Sequence, residues 1–189
     1  MWDEVEHARL SKALAFAAHI HRDQSRKGTN IPYISHLLGV CSLVLEAGGS
    51  PDEAVAALLH DAIEDQGLSR ADLRERFGHV VEEIVRGCSD TDQQPKPPWR
   101  ERKQAYLDEL PRQSRSVLLV SLADKVHNAR SLLFDGRAVG AELWSRFNAG
   151  RDSQIWYYES LAELYRELIP GALADELTRL VEDLKAEAA

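Results

Sequence analysis

Ser50-Pro51-Asp52-Glu53-Ala54-Val55-Ala56-Ala57-Leu58-Leu59-His60-Asp61-Ala62-Ile63-Glu64-Asp65 begins as a helix start and ends on chemistry. Ser50 is placed to cap, Pro51 takes the first helical position, and Glu53 completes a capping box. The run from Ala54 to Leu59 is apolar nearly all round, so this helix belongs in the middle of a packed bundle. His60-Asp61 follows at once. Charged side chains are seldom buried unless paired or bound to metal, because desolvating an isolated carboxylate is very costly. Adjacent helical residues point about 100° apart, yet both reach one ion lying over the helix. Glu64 and Asp65 stack one turn later at i, i+4. Two turns thus carry four groups able to coordinate metal or move protons.

Outward from this stretch the punctuation is helical throughout. Apolar residues recur at helical spacing over 5–20 and again over 34–47, where Gly48-Gly49 stops the second helix. The helix opened at Ser50 is expected to run to about Asp65. Ser69 caps a short helix that Gly78 closes, and 79–89 continues as another. The segment 92–98, with three prolines, can be neither helix nor central strand and reads as a surface loop. Helices are then expected over 99–110, 114–134, 139–149, 152–168 and 172–186, with Pro170-Gly171 as the last break. The fold class is all-α, a bundle of about nine or ten helices, and the 189 residues make one domain, 1–189, with no repeat and no second unit to cut out.

Bulk properties narrow the function classes. A formal charge of −8 argues against a nucleic-acid surface, which needs clustered positive charge, but leaves room for a small anionic ligand held by a local cationic cluster or a metal. No apolar stretch approaches the roughly 20 residues that span a bilayer, and the acidic N-terminus is not a signal peptide. Cys41 and Cys88 sit far apart in apolar helical patterns and read as small core residues, as in a cytoplasmic protein without disulfides.

Two further positions repeat the polar-after-apolar pattern. Asp124 follows the run Val117 to Leu122 and Ala123, and His36 lies near the start of the second helix. Two imidazoles with two carboxylates suit manganese, iron or zinc, with room for water or substrate. By themselves these residues leave an ion pair or an ordinary polar contact open.

Four stretches in order add to this: Arg26-Lys27-Gly28-Thr29 with Pro32-Tyr33-Ile34-Ser35-His36; Ala57-Leu58-Leu59-His60-Asp61-Ala62-Ile63-Glu64-Asp65; Leu68 to Gly78, ending Arg76-Phe77-Gly78; and Leu122-Ala123-Asp124-Lys125-Val126-His127-Asn128. Together they resemble the HD superfamily of metal-dependent phosphohydrolases. More closely, they resemble its alarmone-hydrolase branch, the hydrolase half of RelA/SpoT proteins and the free-standing small alarmone hydrolases. The resemblance spans Arg26 to Asn128, and Trp156-Tyr157-Tyr158 fits the last active-site helix. It implies a single HD-type domain in which His36, His60, Asp61 and Asp124 hold the metal, typically Mn2+. Glu64 and Asp65 would orient or deprotonate the attacking water. Arg26 and Lys27 would sit at the guanine base, Asn128 at ribose or phosphate, and Tyr157 at the nucleotide. The implied reaction removes the 3′-pyrophosphate from ppGpp or pppGpp, giving GDP or GTP and pyrophosphate.

Other residues are read conservatively. His127 takes a supporting polar or surface role, and His19 and His21 are helix-end histidines. Arg22, Lys103, Arg130 and Arg151 are candidates for the distal phosphates, Arg151 foremost, although each also reads as a solvated charge. Trp144 and Trp156 are packing residues. The 26–36 loop is compact and the Pro95-Lys96-Pro97-Pro98 segment distinctive, so both bear on base specificity. After Asn128 no room remains for a synthetase domain, so a free-standing hydrolase is expected, with room for a homodimer. The rival readings are an HD enzyme acting on a ppApp-type alarmone or on the NADPH 2′-phosphate, an antitoxin to a partner synthetase, and a silent nucleotide sensor.

Overall fold

The computed structural model describes residues 2–89 and 97–187. They form ten α-helices: α1 Glu4–Ile20, α2 Ile34–Glu46, α3 Pro51–Leu59, α4 Ala62–Gln66, α5 Arg70–Phe77, α6 His79–Cys88, α7 Trp99–Glu109, α8 Arg115–Val139, α9 Gly150–Leu168 and α10 Ala172–Glu187. Among the described residues there is no strand, only an isolated bridge between Ser25 and Pro32.

Local chemistry sets most boundaries. The Ser50 hydroxyl accepts from the Glu53 N–H while the Glu53 carboxylate accepts from the Ser50 N–H, the expected capping box. Ser69 and Ser114 cap α5 and α8 through the N–H groups of Asp72 and Val117. α3 buries every residue from Glu53 to Leu59 and packs against α1, α2, α6 and α8. α8 buries Val117 to Asp124 and packs against α2, α3, α6, α9 and α10. These two helices form the axis of one continuous core.

Two expectations need correction. The helix through His60-Asp61 is not continuous: α3 ends at Leu59 and α4 begins at Ala62. The His60 Nδ1–H takes the Ala57 carbonyl at 2.8 Å, so a side chain enters the backbone ladder where the next turn would form. The helix expected over 139–149 is a run of 3₁₀ turns over Gly140–Arg146. α8 instead extends a turn beyond Phe134 to Val139, and Gly140, at φ +61°, turns the chain out of the helix. Of the 92–98 loop, residues 92–96 lie outside the described residues, and Pro98 leads directly into α7.

Candidate active site

The break between α3 and α4 faces α2 and α8, and four polar side chains meet there. His36 from α2, His60 from the break and Asp124 from α8 are all buried, and one nitrogen or oxygen of each lies within 4.8 Å of the others. The Nε2 atoms of His36 and His60 stand 3.2 and 3.7 Å from Asp124 Oδ1. Asp61 Oδ2 lies 3.6 and 3.0 Å from the same two nitrogens. All four residues expected to hold a metal are therefore gathered, from three separate segments: α2, the break between α3 and α4, and α8.

The outer hydrogen bonds fix how these groups point. A carbonyl only accepts, so His60 Nδ1 carries the proton when the imidazole is neutral, leaving the Nε2 lone pair bare toward the carboxylates. His36 Nδ1 is engaged with His127 Nδ1 at 2.9 Å. Tyr33 donates its hydroxyl to Asp61 Oδ2 at 2.6 Å, and Asn128 Nδ2 donates to Asp124 Oδ1 at 2.5 Å. Arg26 in turn donates to Asn128 Oδ1 at 2.9 Å. Both Nε2 atoms are buried without a hydrogen-bond partner. Buried polar atoms are nearly always satisfied, so two bare imidazole nitrogens aimed at two carboxylates fit a cation.

Electrostatics agree. Burial would raise Asp61, yet the His60 and His36 imidazoles hold it well below the usual carboxylate range. Burial would raise Asp124 too, and it is overridden first by the Lys125 ammonium, 2.5 Å away, then by the two imidazoles. Burial would lower His60, but Asp61 and Asp124 outweigh it and hold the ring well above its ordinary value. Two ionised carboxylates thus draw positive charge to the two imidazoles, a proton on His60 or a cation in its place. His127 is pushed down to about 4 by burial and by His36, so it is a neutral ring with one bare nitrogen.

A cleft of about 810 Å³ adjoins this cluster. Arg26, Lys27, Lys103, Lys125, Arg130 and Arg146 line it, against the carboxylates of Asp65 and Asp135. Trp99, Phe147, Tyr157 and Tyr158 supply its apolar faces. Of the residues expected at the attacking water, the base, the ribose and the nucleotide, Arg26, Lys27, Asp65, Asn128 and Tyr157 reach the cleft. Lys27 lies over the Phe147 ring at 5.2 Å, and the Tyr157 hydroxyl is buried without a hydrogen-bond partner. Asp65 accepts from Gln24 Nε2 at 2.7 Å, and partial desolvation together with the Asp61 charge raises its pKa above the ordinary value. Glu64 is half-buried and is not among the lining residues.

Arg151 is elsewhere. It lines a second, smaller depression with Leu132, Leu143, Trp144 and Leu184, and one of its nitrogens meets Asp152. Its place at the cleft falls to Arg146, which pairs with Asp135 at 2.8 Å. Sequence spacing gave no signal for Arg146, because the 3₁₀ turn that delivers it has no helical period. His21, expected to be an ordinary helix-end residue, is buried and stacks on Tyr33 at 5.3 Å. Lys103 and Arg130 reach the cleft; Arg22 does not and pairs with Asp23.

A family profile for the HD domain matches residues 13–153. A Xenopus tropicalis protein named guanosine-3′,5′-bis(diphosphate) 3′-pyrophosphohydrolase MESH1 is 40% identical over 128 residues, covering 66% of this chain and 70% of its own. Its Mus musculus counterpart, of the same name, is 39% identical over 130 residues, covering 67% and 71%. A solved structure, described as a metazoan ortholog of SpoT that hydrolyses ppGpp, superposes with a TM-score of 0.79 at 26% identity over 96% of this chain and 97% of that one. The profile spans every residue of the metal-suited cluster, and the chain belongs to the HD-domain family, in the branch of the guanosine-3′,5′-bis(diphosphate) 3′-pyrophosphohydrolases.

Proposed function

We propose that this protein removes the 3′-pyrophosphate from ppGpp and pppGpp, releasing GDP or GTP and pyrophosphate, with a divalent ion, Mn2+ foremost, held by His36, His60, Asp61 and Asp124. The single observation that carries the reading is the pair of buried, unpartnered imidazole nitrogens facing two carboxylates beside a cationic cleft. Kinship with the pyrophosphohydrolases named above supports the substrate. The continuous core supports treating 1–189 as one catalytic unit. No helix of the described residues is long and apolar enough to cross a membrane.

When bound, the ion supplies Lewis acidity, lowering the pKa of water and offsetting negative charge on phosphoryl oxygens. The chain's own groups do the rest. Tyr33 and Asn128 hold the Asp61 and Asp124 carboxylates in place, and Arg26 braces Asn128. Asp65 or its neighbour Glu64 takes the proton from water as its oxygen adds to the phosphorus next to the ribose 3′ oxygen. The bond between that phosphorus and the 3′ oxygen breaks, and the 3′ oxygen ends protonated. Asp65, on the cleft wall with its pKa raised from the ordinary value, is the better placed base. The cationic lining offsets the charge of two diphosphate groups, and the aromatic faces of Phe147 and Tyr157 offer surfaces for the base and ribose.

The test is to strip the protein of metal, add manganese, and give it ppGpp, ppApp and NADPH separately. Manganese-dependent pyrophosphate from ppGpp well above the other two is the expected result. Preference for ppApp, or phosphate released from NADPH, would move the substrate. Tight ppGpp binding without turnover would leave a sensor.

A further inference from the structure

His36 and Gly39 lie three residues apart on one face of α2, and Asp124 and His127 lie likewise on α8. The His127 ring fills the space between the helices. Its Nδ1 meets His36 Nδ1 at 2.9 Å, with ring centroids 4.8 Å apart at 61°. Its far edge rests on Gly39, where an added β-carbon would run into Cδ2 and Nε2 of the ring. Glycine inside a helix costs stability relative to alanine, so the missing side chain calls for a reason, and this contact supplies one.

We propose that His127, seated on Gly39, is a positioning residue that fixes the tautomer and rotation of His36 for metal binding. The inference rests on the metal centre proposed above. Two ring nitrogens 2.9 Å apart share one proton. For His36 to present a bare Nε2 to a cation, the proton must sit on its Nδ1, which then donates to His127 Nδ1. His36 is fully buried, and among the described residues no backbone carbonyl takes that proton as Ala57 takes the proton of His60. The two imidazoles are thus held by different devices: His60 by its own helix, His36 by a second histidine across the interface. Replacing the acceptor frees the His36 ring to turn without disturbing any ligand atom directly.

The experiment is cobalt(II) titration of metal-free protein, followed by the visible absorption of the bound ion, with thermal unfolding as a folding control. His127→Phe keeps the ring volume and removes the acceptor. His127→Asn places an oxygen where Nδ1 stood. Phe is expected to weaken cobalt binding about 10–100-fold, and Asn to restore it to within about three-fold of wild type. Gly39→Ala should weaken binding by the same order in the wild-type background and add nothing in His127→Ala, where no ring remains to be displaced. Wild-type affinity in His127→Phe would overturn the proposal, as would an Asn variant as weak as Phe, since packing alone would then explain the histidine. Failure of the wild-type protein itself to bind cobalt would instead bring down the metal centre on which the proposal stands.

Discussion

Asp61 and Asp124 carry the largest electrostatic consequence of any residues in the cluster, because each faces both imidazoles and each is held ionised, Asp124 buried and Asp61 half-buried. Removing either carboxylate leaves one anion against two histidines and Lys125, a balance that no longer favours a dication. Asp61→Ala and Asp124→Ala are each expected to abolish metal binding and pyrophosphate release together. Equilibrium dialysis of the metal checks the first loss and product assay the second; activity without bound metal would break the link. Glu64 and Asp65 answer a different question. Both sit a turn beyond Asp61, and Asp65 N–H bonds the Asp61 carbonyl at 2.9 Å, so substitution there leaves the ligand set intact. Asp65→Asn is expected to keep the metal and lower kcat by about 10²–10⁴-fold, with KM changed much less. A larger loss in Glu64→Gln than in Asp65→Asn would transfer the base role to Glu64.

At the scale of elements, α5 and α6 are joined by a buried anion. Glu82 is fully buried near the start of α6 and receives Arg70 at 2.6 Å and Arg74 at 2.9 Å from α5. Burial alone would raise its pKa; the two guanidiniums override this and bring it below the ordinary glutamate value of 4.5. The folded-state pKa being depressed, the stabilisation is complete above about pH 4.5 and is lost as pH falls through the lower folded value. Glu82→Gln should therefore unfold more easily than wild type at pH 7, and the difference should shrink toward pH 3. Urea midpoints across that range check it, and a gap that widened in acid would be the wrong sign. The double change Arg70→Ala with Arg74→Ala strands the carboxylate and is expected to cost about 1–2 kcal/mol, discounted because both arginines are half-exposed. Capped helix starts were legible beforehand, since a cap such as Ser50 or Ser69 acts within its own first turn. The break at His60 was not, because it depends on where one imidazole sends its proton. The same distinction runs through the site. His36, His60, Asp61 and Asp124 stood out as polar residues after apolar runs. Arg146 and His21 take their meaning from contacts with Asp135 and Tyr33, which spacing does not encode.

Across the whole molecule, the cluster joins α2, α3, α4 and α8, so a ligand bound there ties together helices far apart in sequence. Binding to the folded state alone adds about 2.7 kcal/mol at 100 times Kd, which for a chain of this length raises Tm by roughly 5–10 °C. Manganese is expected to raise Tm by that order, and Asp124→Ala to lose the increment; an equal rise in both would place the ion elsewhere. The second global property is charge. The chain is acidic, at −8, yet six of its basic side chains line one cleft. An anionic substrate is repelled by the molecule at large and drawn only to this face, and salt screens both effects over about 10 Å at 0.1 M. Within the cleft the attraction operates at shorter range and with less solvent between the charges, so it should govern binding. KM for ppGpp is therefore expected to rise several-fold between about 50 mM and about 500 mM salt, with kcat nearly constant. Removing a charge by Arg130→Gln or Arg146→Gln should raise KM at low salt and flatten that dependence. Neither residue touches the metal-suited cluster, so a fall in kcat with KM unchanged would mean that these cations act on the reacting groups and not on capture of the substrate.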